Sequence, residues 1–197
     1  IADYTKAIEI NPNYADAYNN RGNSKSDLKD YYGAISDFTK AIEINPNSAN
    51  DYNNRGNSKS DLNDDYGAIS DFTKAIEINP NSANAYNNRG NSKKYLKDYY
   101  GAISDYNKAI EINPNDDGYY NNRGLCKFLL EDYYGAISDY NKAIEINPNS
   151  TILTYLPYRN RAMAKHLIND HYGACQDANK AQELGFDATR MINIVCK

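Results

Sequence analysis

The residue types that most often carry catalysis or bind metals are few in this sequence. The chain has two histidines, His166 and His171, and three cysteines, Cys126, Cys175 and Cys196. The histidines lie five residues apart without a metal-ligand pattern around them, and the cysteines form no Cys-x-x-Cys pair. We therefore expect no enzyme activity, no cofactor and no metal. The cysteine spacing favours free thiols, a reducing compartment and a cytoplasmic location.

Charged residues form a second set that could do chemistry, and they recur at a fixed interval. The period of both series is 34 residues, with one longer step near the end. The two series are Arg21, Arg55, Arg89, Arg123 and Arg161, and Asp3, Asp37, Asp71, Asp105, Asp139 and Asp177. Residues that recur with the period of a repeat belong to its architecture. The pattern therefore predicts a structural ladder of ion pairs and not a catalytic site.

Asparagine is the third recurring residue type, and it occurs in clusters. An amide side chain both donates and accepts hydrogen bonds, so it can pair with a peptide backbone in either direction. The alternative is that these amides are solvated or help to pack loops. The clustered residues are Asn19, Asn20, Asn23, Asn53, Asn54, Asn57, Asn87, Asn88, Asn91, Asn121 and Asn122.

A sequence repeat positions all three sets. Its period of 34 residues is marked by prolines in Asn-Pro-Asn segments at Pro12, Pro46, Pro80, Pro114 and Pro148. A period of this length indicates a stacked array, in which each repeat buries its apolar face against its neighbours.

Each repeat is predicted to form two helices. In the first repeat, apolar and small residues at a spacing of three to four predict helix A from Ala15 to about Lys29. Asp30 is the expected N-cap of helix B, which runs to about Ile44. Pro46 then ends the helix, since proline lacks the amide and disfavours helix in the residue before it.

The helical period places the arginines on the packing side of helix A. At 100° per residue, Tyr18, Arg21, Lys25 and Leu28 share one face, which we expect to be buried. An unpaired buried charge would cost several kcal/mol. We therefore expect each arginine to be mostly buried and to pair with an aspartate of the second series. For Arg55 that partner is Asp37 or Asp71.

The repeated positions resemble the tetratricopeptide repeat family. Its characteristic small, aromatic and proline positions are occupied here by Tyr18, Gly22, Ala34, Phe38, Ala41 and Pro46. The resemblance implies an all-α fold, a right-handed α-solenoid of antiparallel helix pairs with a C-terminal capping helix. It also implies that helix A lines a concave groove, which usually holds a peptide. Small residues such as Gly22 then allow the helices to approach closely.

The resemblance divides the chain into one array over residues 1–197. The predicted segments are helix B of a truncated repeat at 1–14; repeats at 15–48, 49–82, 83–116 and 117–150; an irregular fifth repeat at 151–187; and a capping helix at 188–197. The fifth repeat carries four extra residues, with an apolar insert at 150–156. We expect Asp187 to cap the last helix.

The groove implied by the resemblance changes character along the chain. The early repeats present asparagine, and the series Asn20, Asn54, Asn88, Asn122 and Asn160 resembles the asparagine ladder in the repeats of O-linked N-acetylglucosamine transferases. The last two repeats present instead Leu125, Phe128, Leu129, Arg159, Met163 and Leu167. Clustered exposed apolar residues mark binding sites. The alternative is that the insert or the terminal helix covers them.

Charge and composition narrow the function further. The net charge of −4 disfavours nucleic acid, whose phosphates require a cationic face, and no apolar run is long enough to cross a bilayer. The set of lysines and arginine with which some family members bind acidic C-termini is missing from the groove, and lone Lys94 and Arg159 do not replace it. We expect a non-enzymatic module that binds a protein or an extended peptide. Alternatives are a structural array that self-associates through its half repeat and a regulatory part of a larger protein.

Overall fold

The computed structural model describes residues 1–148 and 155–196, and these residues form helices without any strand. The predicted insert at 150–156 lies outside the described residues up to residue 154. The helices are α1 Ala2–Ile10, α2 Ala15–Asp27, α3 Tyr31–Ile44, α4 Ala49–Asp61, α5 Asp65–Ile78, α6 Ala83–Tyr95, α7 Tyr99–Ile112, α8 Asp117–Leu129, α9 Tyr133–Ile146, α10 Tyr155–Leu167, α11 His171–Glu183 and α12 Thr189–Val195. The predicted all-α fold is confirmed.

The chain forms two compact units. The first unit, Ile1–Lys97, contains α1 to α6, and the second, Asp98–Lys197, contains α7 to α12. Within the first unit, α2 packs on α3 and α4 on α5, and α3 and α5 pack in turn on the next helix A. Within the second unit, α8 packs on α9, α10 on α9 and α11, and α12 on α11. Both units are therefore stacks of adjacent helix pairs.

The turn between helix A and helix B has the same construction in every pair. Helix α2 ends at Asp27, two residues before the predicted end, because Lys29 takes a left-handed backbone conformation with φ of 63°. Asp30 then caps α3 as predicted, its carboxylate accepting from the Gly33 amide at 3.0 Å. A left-handed residue followed by an aspartate cap reverses the chain and starts the next helix.

The core consists of small residues that allow close helix contact. A Cβ added at Gly22 would lie 2.7 Å from the Phe38 ring, so only glycine fits this contact without displacing the aromatic ring. Ala34 and Ala41 are fully buried beside it. The predicted packing role of these small residues is confirmed. One packing prediction is wrong: Leu28 lies just beyond the end of α2 at Asp27 and is 72% exposed.

The C-terminal helix packs as a cap on the last helix pair. The N-cap of α12 is Ala188 and not the predicted Asp187, although Asp187 accepts from the Thr189 amide at 3.2 Å. Helix α12 buries Val195 against Ala162 of α10 and residues of α11. Met191 and Ile192 pack against the same cluster. The predicted capping helix therefore has the expected apolar side.

The cysteine prediction is wrong for two of the three residues. Cys175 of α11 and Cys196, which follows α12, form a disulfide, although 21 residues separate them in sequence. Cys126 is a buried thiol outside this disulfide. The spacing of the cysteines could not reveal the pair, because it depends on how α12 folds back over α11.

Candidate functional site

Four arginines of the recurring series lie between the two helices of their own repeats: Arg21, Arg55, Arg123 and Arg161. Arg21 donates two hydrogen bonds to Asp37, Nε to Oδ2 at 2.9 Å and Nη2 to Oδ1 at 2.8 Å. Arg55 and Asp71 repeat this paired geometry at 2.9 and 2.7 Å. Only 16% of the Arg55 side chain is exposed, and Asp71 is buried. A two-pronged bond of this kind fixes the geometry of both side chains.

The same arginines also reach the preceding helix B. Arg55 Nη1 donates to Thr39 Oγ1 at 3.1 Å, and Arg89 Nη1 donates to Thr73 Oγ1 at the same distance. In the second unit the acceptor is an asparagine: Arg123 donates to Asn107 at 2.7 Å. Arg55 and Arg123 thus each join their own helix pair to the helix before it.

The remaining members of the predicted ladder occupy comparable positions, with one exception. Arg123 pairs with Asp139 and Arg161 with Asp177, with both aspartates buried. Asp105 is buried as well. Asp3 is the exception, because it is exposed.

Sequence reasoning missed a second cation at four of these aspartates, Asp37, Asp71, Asp139 and Asp177. Lys25 Nζ lies 2.7 Å from Asp37 Oδ2, and Lys59 lies 2.7 Å from Asp71. Burial alone would raise the pKa of Asp37, but hydrogen bonds from Arg21 and Lys25 outweigh it and hold this pKa below its ordinary value. Asp37 therefore stays ionised at neutral pH and holds the two helices of its repeat together.

The asparagines of the first unit form a connected surface on helices α2, α4 and α6. We call it the amide face; its members are Asn19, Asn20, Asn23, Asn53, Asn54, Asn57, Asn87, Asn88 and Asn91. Asn88 of α6 donates to Asn53 and Asn57 of α4, at 3.3 and 3.0 Å. Asn19 of α2 donates to Asp51 of α4. Neighbouring helices A thus present their amides side by side.

Two amides of this face keep their hydrogen-bonding capacity. Among the described residues, the side chains of Asn20 and Asn54 have no hydrogen-bond partner, and Asn20 is exposed. In the second unit, the corresponding Asn160 of α10 donates to Asn121 of α8 at 3.3 Å. The helix A surfaces of both units therefore include amide contacts between successive helices.

The apolar residues of the second unit surround a cavity of about 180 Å³. We call it the apolar cavity; it is lined by Leu125, Phe128, Tyr140, Arg159, Asn160 and Met163. Leu125 and Phe128 come from α8, Tyr140 from α9 and the other three from α10. The structure thus brings five of the predicted groove residues together around one cavity. Leu129 and Leu167 are exposed and lie outside its lining.

Sequence reasoning missed the buried wall of the apolar cavity. Tyr140 is fully buried, and its hydroxyl has no hydrogen-bond partner among the described residues. Burial raises the pKa of this hydroxyl, so it stays protonated and can donate. The positive charge of Arg159 lowers the pKa of this hydroxyl and so opposes part of the shift. The guanidinium of Arg159 lies 5.4 Å from the centre of the Phe186 ring.

Other possible sites carry little chemistry. His166 and His171 approach each other with their Nδ1 atoms 3.2 Å apart. No group of three or more histidine, cysteine or acidic side chains in the described part of the chain is arranged to hold a metal. None of the described helices is long and apolar enough to span a membrane.

Comparison with known sequence families identifies the repeat. The tetratricopeptide repeat pattern matches residues 15–48, 83–116 and 119–150, slightly more than half of the chain. The chain belongs to the tetratricopeptide repeat (TPR) family. A second tetratricopeptide repeat pattern matches residues 52–82, and a TPR repeat pattern matches residues 1–28. Comparison with curated proteins found no match.

Solved structures of TPR proteins share this fold. YrrB, described as a TPR protein with an unusual peptide-binding site, is 22% identical, with a TM-score of 0.75 over 95% of this chain and 96% of its own. MamA from Desulfovibrio magneticus RS-1 is 20% identical, with a TM-score of 0.78 over 86% and 94%. A chain of the APC/C hetero-tetramer Cut9–Hcn1 reaches 0.81 at 16% identity, over 98% of this chain and 38% of its own. At these identities the likeness shows the fold alone.

Proposed function

We propose that this TPR protein is a non-enzymatic module that binds an extended peptide segment of a protein partner along its helix A surfaces. TPR repeats generally serve as interaction scaffolds, and YrrB is described as binding a peptide. The observation that carries the proposal is the contact between neighbouring amides, in which Asn88 spans from α6 to Asn53 and Asn57 of α4.

The amide face suits a peptide backbone better than a particular side chain. The amides of Asn20 and Asn54 can each donate and accept, which matches the alternating N–H and C=O groups of an extended chain. Asn88 is already held by its neighbours, which fixes the surface before a peptide arrives. Such a surface would bind many sequences with similar affinity, and specificity would have to come from another region.

The chemistry of the surface argues against other classes of ligand. The net charge is −4, and the recurring arginines and lysines are engaged with aspartates between the helices. A nucleic-acid backbone requires free cations. We therefore propose protein partners and no nucleic acid, and we assign no catalytic residue.

Self-association through α1 is a second candidate function, favoured by one observation. Ile10 is 85% exposed, whereas its counterpart Ile44 in the next helix B is half-buried. A second copy could cover this apolar surface. Size-exclusion chromatography with light scattering tests it: a mass that rises with concentration supports self-association, and a constant monomer mass contradicts it.

Peptide binding is tested with an array of blocked peptides and a paired variant. Changing Asn20 and Asn54 together to alanine should weaken binding about tenfold across unrelated sequences, because two backbone hydrogen bonds are lost. The matched control changes Asn47 and Asn81 to alanine, which removes the same groups from exposed turns of the first unit. Equal losses of affinity in the two double variants would contradict the proposal. So would a bound peptide that cross-links only to residues of helix B.

A further inference from the structure

The apolar cavity has the size of one side chain. Its volume of about 180 Å³ is below the roughly 300 Å³ at which pockets for small molecules usually begin. Leu125, Phe128 and Met163 supply apolar walls, and Met163 is unbranched, so the lining can adapt when a side chain enters. A leucine-sized group fits this space, whereas a nucleotide or a cofactor does not.

Two polar groups of the cavity, the Tyr140 hydroxyl and the Arg159 guanidinium, can donate hydrogen bonds to a ligand. The Tyr140 hydroxyl is buried and has no partner among the described residues. Leaving such a group unsatisfied is destabilising, and natural cores rarely do so without a reason. Phe38 and Phe72 occupy the same position of their repeats in the first unit without a hydroxyl. The hydroxyl is therefore dispensable for packing at this position.

The second donor is Arg159. It replaces the asparagine found at this position of the other repeats, Asn19, Asn53, Asn87 and Asn121. No carboxylate of the described residues lies within ion-pair distance of Arg159, in contrast to Arg161 two residues later, which is paired with Asp177. The Phe186 ring covers one face of the guanidinium, and the planar group donates through its edge.

Together these features define a ligand with an apolar part and an anionic part. Resting on the proposed function, we infer that the apolar cavity binds an apolar side chain of the partner peptide that stands next to an aspartate or a glutamate. The apolar side chain fills the space between Leu125, Phe128 and Met163. The neighbouring carboxylate accepts from Arg159 and, as the lining adapts around the entering side chain, from the buried Tyr140 hydroxyl. This cavity gives the sequence preference that the amide face cannot supply.

The internal acidic side chain is favoured over a free C-terminus by the amide contact beside the cavity. Asn160 lines the cavity and is bonded to Asn121 of α8. If a peptide runs along the helix A surfaces of the second unit, its backbone continues past the cavity in both directions. A carboxylate at the chain end would leave one of those directions empty.

The test is a titration of the full chain with blocked peptides, followed by NMR at the Met163 methyl group. The probe is an acetylated and amidated serine–glycine peptide with a central leucine–glutamate pair. Replacing its glutamate by glutamine, or its leucine by serine, should each weaken binding about tenfold. Equal affinity for the glutamate and glutamine peptides would overturn the inference. So would tighter binding of an unblocked peptide that ends in leucine.

Protein variants separate the two donors. Arg159→Asn restores the residue of the other repeats and should abolish the preference for glutamate over glutamine. Tyr140→Phe should weaken binding about tenfold and raise the Tm of the free protein, because it removes an unsatisfied buried group. The control is Tyr106→Phe, the same change at the equivalent position of the preceding repeat, which should leave binding unchanged. A fall in Tm for Tyr140→Phe, or an unchanged preference in Arg159→Asn, would overturn the inference.

Failure here differs from failure of the proposed function. If the probe does not shift Met163 but the Asn20 and Asn54 double variant still loses affinity for arrayed peptides, the amide face binds peptides and the cavity assignment is wrong. If the Asn20 and Asn54 double variant and Arg159→Asn both retain full peptide binding, the proposed function is wrong as well.

Discussion

The helix A surfaces of the two units have nearly the same backbone plan and different side chains. In the first unit, the position occupied by Asn57 belongs to the amide face, and Ser60 follows it one turn later. The equivalent residues of the second unit, Leu125 and Phe128, line the apolar cavity. Beneath both surfaces the arginine–aspartate pairs keep the same geometry. The surface of a TPR helix can therefore change without altering the contacts that hold the repeat together.

This separation follows from the helical period. Arg55 lies two residues before Asn57, about 160° from it around the helix when the angle is taken the short way. A substitution on one side leaves the other side in place, so the repeat can vary its ligand surface at small cost in stability. We therefore expect substitutions on the ligand surface of helix A to have large effects on binding. Substitutions in the arginine–aspartate pairs should have large effects on stability.

The largest expected effect concerns the apolar surface of the second unit. Changing Phe128 to serine and Leu129 to aspartate, the residues of repeat two, should reduce partner binding by about 3 kcal/mol, or more than a hundredfold. The Tm should fall only slightly, because Leu129 is exposed and Phe128 is half-buried. Binding is measured by titration and Tm by circular dichroism.

A matched control for that variant is Leu28→Asp in the first unit. Leu28 is 72% exposed, so the same apolar-to-acid change there should affect neither binding nor Tm. A large fall in Tm for the Phe128 and Leu129 variant would show that these residues belong to the core, and the comparison between the two surfaces would fail.

The next effect concerns the contacts that both units share. Arg55→Ala should destabilise the protein by about 3 kcal/mol, because Asp71 stays buried without its two-pronged partner. Lys59 still contacts Asp71 and limits the loss. Lys74→Ala, which breaks an exposed pair with Glu77, should leave the denaturation midpoint nearly unchanged. Similar midpoints for both variants would contradict the structural role of the arginine.

Much of this arrangement could be predicted from the sequence because it is periodic. The spacing of 16 residues between Arg21 and Asp37 recurs in every pair. Opposite charges at this fixed separation lie on the two helices of one repeat, so few other pairings are available to them. The cap at Asp30 and the close packing at Gly22 follow from local geometry. Because such residues recur with the repeat, their structural role can be recognised even when the number and orientation of the repeats are unknown.

The features that could not be predicted depend on single atoms or on contacts between residues that are far apart in sequence. Tyr140 reads as another packing aromatic, since only its hydroxyl distinguishes it from Phe72. Lys25 carries a long flexible side chain, so its contact with Asp37 does not follow from spacing alone. The Cys175–Cys196 bond depends on the path of the chain after α11.

A third prediction distinguishes the two units by their response to reducing agent. The loop between Cys175 and Cys196 spans 21 residues, for which chain-entropy estimates give about 3 kcal/mol of stabilisation at most. Because α12 can detach without unfolding the repeats before it, we expect about 2 kcal/mol, confined to the end of the second unit. Hydrogen exchange in reduced protein should accelerate in α11 and α12 and remain unchanged in α2 to α5. Cys175→Ser should reproduce this and abolish the response to reductant.

The smallest expected effect concerns Asp51, the acid at which the amide face meets the interior of the first unit. Asp51 is buried and accepts from Asn19 of the neighbouring helix A. In the adjacent repeats the position equivalent to Asp51 is occupied by Ala17 and Ala85. Burial raises its pKa above the ordinary value, although hydrogen bonds from Ser48 and Asn19 oppose the shift. The folded protein therefore binds this proton more tightly than the unfolded chain.

Stability must then decrease as the pH rises through the raised pKa, because the folded state has to release a proton that the unfolded chain has already lost. Asp51→Asn keeps an acceptor for Asn19 and removes the charge, so at neutral pH it should raise the Tm by roughly 2–4 °C, the shift expected for about 1 kcal/mol. The gain should disappear below about pH 4, where the carboxyl is protonated in both states. Asp37→Asn is the control of opposite sign: the lowered pKa of Asp37 means that its charge stabilises the fold above its unfolded pKa and ceases to do so as the pH falls through the lowered value. Thermal melts of both variants between acid and neutral pH should therefore diverge from the parent protein in opposite directions as the pH rises, and a loss of Tm for Asp51→Asn at neutral pH would show that the buried charge stabilises the amide face.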